Sequence, residues 1–161
     1  MKNLKQLSLV FIFTIFGQSL PTHAVPVNFY GTLIVPPPCE INNKQDITVL
    51  FPDNMLTGKV DGLSYETKIN LGLNCSSATS TMLKLQFSGV AASFDSSVVS
   101  TTKQNLGIEI RNDGKKLPIN TWVNFNSNVP LTLTAIPVKA PGLLLDGGKF
   151  TAYTMLLVDY Q

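Results

Sequence analysis

Apolar and polar residues alternate with a period of two along most of this chain, the spacing at which successive side chains leave opposite faces of a β-strand. The longest such row lies near the C-terminal end: Phe150, Ala152, Thr154, Leu156, Val158 and Tyr160. The opposite row (Thr151, Tyr153, Met155, Leu157, Asp159) is apolar in its middle. That composition predicts a strand buried on both faces, with a neighbour on each edge. Asp146-Gly147-Gly148 supplies the turn that launches it. No further strand follows in the sequence, so its second neighbour comes either from earlier in this chain or from outside it.

The same period recurs upstream. Val27, Phe29, Gly31 and Leu33 alternate with Asn28, Tyr30, Thr32 and Ile34, which predicts a strand-like arm with a glycine in its inward row. Pro36-Pro37-Pro38 follows, a stiff extended link that cannot turn back tightly. Short strands are predicted over Ile47–Phe51, Tyr65–Cys75, Met82–Gly89, Leu106–Ile110, Trp122–Phe125 and Leu131–Ile136. In the second of these Thr67, Ile69, Leu71, Leu73 and Cys75 share one face; in the third Leu83, Leu85 and Phe87 point inward. The Ser/Thr-rich stretch from Ala91 to Lys103 reads as loop with a weak edge strand. Asn112-Asp113-Gly114 is a hairpin turn. No segment sustains a helical period, and short strands separated by turn residues predict an all-β sandwich.

Composition adds an address. Lys2 and Lys5 precede the apolar run Leu7–Phe16, and Thr22-His23-Ala24 closes it with a small-residue cleavage pattern, as in a secretory leader. The run is shorter than the roughly 20 residues that span a bilayer. Residues 1–24 are therefore set aside as a signal peptide, leaving an arm over 25–35 and one domain over 36–161. Of 12 basic residues two leave with the leader, so ten face ten acidic ones and the mature charge is near zero. With no basic patch, nucleic acid is not an expected partner. Two cysteines, Cys39 and Cys75, in an exported chain read as one disulfide, the alternative being two buried thiols. A bridge would close a loop of about 37 residues, worth roughly 4 kcal/mol on the chain-entropy model.

Catalytic chemistry has few carriers. The single histidine, His23, lies in the leader, so the mature chain lacks a histidine base or metal ligand, and no metal or cofactor is expected. Gly147-Gly148 has no following helix to make a phosphate loop. The carboxylates fall mostly in turns or on solvent faces. Trp122 reads as a core residue, with a sugar platform as the alternative. Asn74-Cys75-Ser76 fits the glycosylation sequon in an unsuitable strand position.

Taken in order, these pieces resemble the structural subunits of chaperone–usher pili, above all the minor tip and adaptor subunits of P-type and type 1-type fimbriae. The residues that carry the resemblance are Val27-Asn28-Phe29-Tyr30-Gly31-Thr32-Leu33, Pro37-Pro38-Cys39-Glu40-Ile41-Asn42-Asn43, Cys75, Gly148 and the penultimate Tyr160. Thr154 departs from the pattern, standing where such rows carry a small or apolar residue, and the proline run is longer than usual.

The resemblance implies an immunoglobulin-like sandwich lacking its last strand and completed in trans by a donated one. It implies Val27, Phe29, Gly31 and Leu33 as the row this chain donates. Phe150, Ala152, Thr154, Leu156, Val158 and Tyr160 would border its own groove, with Gln161 offering a carboxylate. The partners implied are a periplasmic chaperone, an outer-membrane usher and neighbouring subunits, a tip adhesin among them. The location implied is a fimbrium on the bacterial surface, reached through the periplasm. A self-contained secreted sandwich that binds carbohydrate or protein is the alternative; an exported enzyme is disfavoured.

Overall fold

Alternating segments of this kind fold only if each can bury its apolar row, and here two sheets do so against each other. The computed structural model describes residues 25–33, 35 and 37–161. The leader expected over 1–24 lies outside them. The chain divides into two units, Met1–Ile34 and Val35–Gln161. In the first, residues 25–33 carry no helix and no strand pairing.

The second unit holds eleven strand segments: β1 (Glu40–Ile41), β2 (Thr67–Lys68), β3 (Leu73–Asn74), β4 (Met82–Gly89), β5 (Ala91–Ala92), β6 (Asp95–Ser100), β7 (Leu106–Asn112), β8 (Lys115–Lys116), β9 (Val123–Asn126), β10 (Leu133–Lys139) and β11 (Thr154–Tyr160). The larger sheet runs β2-β10-β7-β6-β5, with β8 hairpinned onto β7; the smaller runs β11-β4-β9. Every pairing is antiparallel. Asp113 and Gly114 both take positive φ (49° and 73°), as a two-residue hairpin turn requires.

Between the sheets Leu85 and Phe87 of β4 meet Val99, Ile108, Ile110, Leu133 and Ala135 of the larger sheet. These are the inward rows the alternation predicts. The larger sheet also buries residues that point the other way: Ile136 and Val98 are fully enclosed. Gly107 makes room for Val98, since a Cβ there would stand 2.5 Å from Val98 Cγ1 and 3.2 Å from Phe94. The stretch Ala91–Lys103, expected to be mostly loop, thus contributes β6 to the middle of the packing.

Other boundaries shift for local reasons. The expected strand Tyr65–Cys75 breaks into β2 and β3, with left-handed backbone at Tyr65 (φ 66°) and Gly72 (φ 53°). Ile69, Leu71 and Leu73 still pack on the core. β10 runs on through Pro137, which lies beyond the two rungs pairing β10 to β2, where no second neighbour needs its missing N–H. The smallest sheet, β1-β3, pairs Glu40 with Asn74, and the Cys39–Cys75 disulfide forms the next rung.

Candidate functional site

β11 is an edge strand. On one side it pairs along its whole length with β4, from Thr154↔Gly89 to Tyr160↔Leu83. Among the described residues its other side has no ladder partner. At seven residues it is longer than β9 at the far edge of the same sheet, with four, and than β2 and β5, with two each. Proteins usually keep free edges short or blunt them with charge. The core-facing side of β11 is also only partly covered. Phe150, Ala152, Leu156 and Val158 pack against the core yet stay half-exposed.

A second segment is left open in the same way. Residues 46–55 make no backbone–backbone hydrogen bond among the described residues. The strand expected at Ile47–Phe51 therefore forms no ladder, although its period-two row is real. Ile47, Val49 and Phe51 are half-buried against the core, while Leu50 on the opposite row is exposed. The two open segments meet where the tilted rings of Phe51 and Phe150 pack at 5.9 Å between centroids. The site is thus an incompletely covered core margin bordered by backbone groups without partners. Left in this state, such groups and surfaces favour capture of another strand.

The start of β11 is fixed by polar bonds to the neighbouring sheet. Thr102 N donates to Thr151 O at 2.9 Å, Thr151 N to Thr102 Oγ1 at 3.0 Å, and Lys103 Nζ to Gly147 O at 2.7 Å. Thr154 is held too, its hydroxyl donating to Ser88 O at 2.9 Å. At the far end Tyr160 accepts from Thr79 N at 3.3 Å, and the Gln161 amide donates to Leu83 O at 2.9 Å. The exposed edge therefore belongs to a strand that is itself well anchored.

The outward row of β11 departs from the sequence expectation. Tyr153, Met155 and Leu157 are exposed, not buried, at 81%, 68% and 41%. Trp122, expected in the core, lies on the same outer face at 42% exposure, with Lys84 Nζ 5.2 Å from its ring centre. The register accounts for this: Val123 and Phe125 take the inward places opposite Leu85 and Leu83, and leave Trp122 outward.

Sequence reasoning also missed an ionic cluster on the larger sheet. Glu109, expected on a solvent face, is buried beneath Arg111 (Nε–Oε1 2.6 Å) and Lys116 (3.2 Å). Lys116 also meets Asp95 at 2.7 Å. That hydrogen bond, with those from Ser97, holds the Asp95 carboxyl down at about 2. Burial pulls the Lys116 ammonium down, but its bonds to Asp95 and Glu109 outweigh this and leave it above 10.5. The four charges pin β6, β7 and β8 together. Among the described residues no group of His, Cys, Asp and Glu is arranged to hold a metal ion.

Comparisons with known proteins agree on one class. Residues 27–161 match the family model described as "Fimbrial protein". Two Escherichia coli K12 proteins are similar. "Uncharacterized fimbrial-like protein YfcR" is 37% identical over 143 residues, covering 84% of this chain and 82% of that protein. "Uncharacterized fimbrial-like protein YfcQ" is 32% identical over 141 residues, covering 84% and 86%. Among solved structures, the P pilus adaptor subunit PapF superposes with a TM-score of 0.57 at 22% identity, covering 78% of this chain and 97% of that one. The P pilus rod subunit PapA does so with 0.57 at 20%, covering 77% and 99%. At these identities the likeness is one of fold: the immunoglobulin-like sandwich of pilus subunits.

Proposed function

The chain belongs to the fimbrial protein family, a family of structural subunits and not of enzymes, and from that premise we propose that it joins its pilus by donor-strand exchange as a minor tip or adaptor subunit. The observation that carries the reading is the seven-residue edge of β11, free on one side and flanked by half-exposed apolar side chains. A strand laid there pairs its backbone with β11 and drops alternate side chains onto the core margin.

Phe150, Ala152, Thr154, Leu156, Val158 and Tyr160 are the acceptor row. Thr154 is its weakest position, because its hydroxyl is already engaged with Ser88. Val27, Phe29, Gly31 and Leu33 are the row that this chain's arm, residues 25–35, donates to the preceding subunit. A periplasmic chaperone lends a strand to the open edge and contacts the Gln161 carboxylate during export of the mature chain. At the outer-membrane usher a neighbour's arm replaces it, and the finished subunit stands in a surface fimbrium beside a tip adhesin.

The arm supplies the test. Gly31 is exposed with open space around it, so in the isolated arm a side chain at this position meets nothing. In the groove it lies between Phe29 and Leu33, where a glycine marks close backbone approach. Gly31→Asn leaves export, the disulfide and chaperone binding unchanged and blocks donation, so the variant accumulates as a chaperone complex. Phe29→Ala weakens the joint through lost burial of roughly 2–3 kcal/mol without blocking it. Strand-exchange assays read both variants, and normal exchange by Gly31→Asn contradicts the reading.

A further inference from the structure

The β11-β4-β9 sheet has an outer face that the core does not use. Leu157 and Asp159 stand on it from β11, Lys84 and Gln86 from β4 and Asn124 from β9, while Leu83, Leu85 and Val123 turn inward. The register sets these side chains in two rows. Asp159, Lys84 and Asn124 lie side by side across the three strands, and Leu157 lies beside Gln86. One place beyond the Leu85↔Val123 rung, Trp122 completes the second row on the other side of Gln86. With strands about 4.8 Å apart and alternate residues about 6.8 Å apart, the rows cover about 10 Å by about 7 Å. Lys84 Nζ reaches both neighbours, 3.6 Å from Asp159 Oδ2 and 5.2 Å from the Trp122 ring centre. The backbone before Trp122 is tied to β4. Asn120 N donates to Phe87 O at 2.7 Å, Asn120 Nδ2 to Gly89 O at 2.9 Å, and Gly89 N to Asn120 Oδ1 at 3.0 Å. The one tryptophan of the chain is therefore presented to solvent from a fixed frame.

We propose that this face binds a neutral saccharide, a hexose-containing glycan laid against Trp122. The proposal is independent of the donor-strand reading, since a strand paired to the edge of β11 leaves the outward rows uncovered. The face of an indole ring carries the negative part of its quadrupole and attracts the polarised C–H face of a pyranose. Around it the amides of Gln86 and Asn124 both donate and accept, Lys84 donates and Asp159 accepts. A ligand made largely of hydroxyl groups, each a donor and an acceptor, satisfies that mixture. The two charges in the rows are paired with each other and cancel, so the face has no net attraction for phosphate, anionic lipid or nucleic acid. An apolar protein surface fits it poorly too. Such a surface would strip water from the Lys84–Asp159 pair and the amides without replacing their hydrogen bonds, which hydroxyl groups do replace. A face this shallow holds its ligand weakly, with a dissociation constant of about 1 mM.

Trp122 reports on its own site, because the chain has no other tryptophan. The full mature chain, residues 25–161, is titrated with lactose, cellotetraose and mannotetraose. The expected result is a saturable change in tryptophan emission with at least one of them, half complete at about 1 mM. Gln86→Ala and Asn124→Ala keep the indole and weaken the same titration about threefold to tenfold. Trp122→Ala abolishes the binding of that saccharide as read by saturation-transfer NMR. Leu144→Ser, at an exposed position on a loop outside this face, leaves the titration unchanged. An unchanged melting temperature verifies the fold of each variant. Absence of a saturable change with all three saccharides overturns the proposal, as does binding that survives Trp122→Ala. Tighter binding of sialyllactose than of lactose also overturns it, because the site would then select an anion. Sedimentation supplies the last arm. A chain that self-associates through Trp122 and ignores the saccharides uses this face as an interface between copies, and the saccharide proposal falls.

Discussion

β10 and β11 are both seven residues long, yet they end in opposite environments. β10 reads Leu-Thr-Ala-Ile-Pro-Val-Lys, has β7 on one side and β2 on part of the other, and is buried from Leu133 to Pro137. β11 reads Thr-Met-Leu-Leu-Val-Asp-Tyr, has β4 alone, and buries none of its residues fully. The strand with more large apolar side chains is the less buried of the two. Burial in this fold is decided by which neighbours arrive, and composition records what a strand can bury, not what it has buried. In β10 that capacity is met within the chain; in β11 it is not met by any described residue.

The comparison predicts a wide gap in mutational cost. Ile136→Ala empties a fully enclosed site in the larger sheet and costs about 2–5 kcal/mol. Met155→Ser, on the exposed row of β11, changes the stability of the unpartnered chain by at most about 0.5 kcal/mol. Denaturant titration measures both; comparable losses would mean that β11 is as enclosed as β10.

A smaller effect separates the polar sides of the two sheets. Asp95, held at about 2 in the fold against 3.8 as its ordinary value, contributes stability that is complete above about 4. That contribution is lost as pH falls from there towards 2. Asp95→Asn removes that part of the acid dependence, seen as a flatter melting-temperature profile between about pH 4 and 2. On the β11 sheet the Lys84–Asp159 pair is wider, 3.6 Å, and Asp159 is largely exposed. Asp159→Asn therefore leaves stability nearly unchanged, as removal of an open surface pair does.

Much of this was legible in the residues. The inward rows of β4, β7 and β11 have the faces that alternation assigns, because a period of two leaves no choice once one row meets the core. What periodicity does not carry is the identity of the cover. The Tyr153-Met155-Leu157 row looks buried because its residues are apolar, and it is exposed because no described residue lies over it. Ile136 and Val98 look like outward residues and are buried, and for Val98 it is Gly107 that makes the room, which no short-range pattern announces. Ile47–Phe51 shows the reverse case: its side-chain row is correct, but its backbone finds no partner. The open core margin emerges only when that segment and β11 are seen together, through contacts 99 positions apart in sequence, Phe51 with Phe150.

Amide hydrogen exchange on the mature chain, with and without a peptide of residues 25–35, tests the open edge most directly. The account predicts that the β11 amides not bonded to β4 and the amides of residues 46–55 exchange quickly in the free chain, while those of β10 are slow. Saturating peptide should slow the β11 set by at least about tenfold and leave β10 unchanged. If the β11 amides are already as slow as those of β10 in the free chain, the edge is not a vacant strand position and the donor-strand account is wrong.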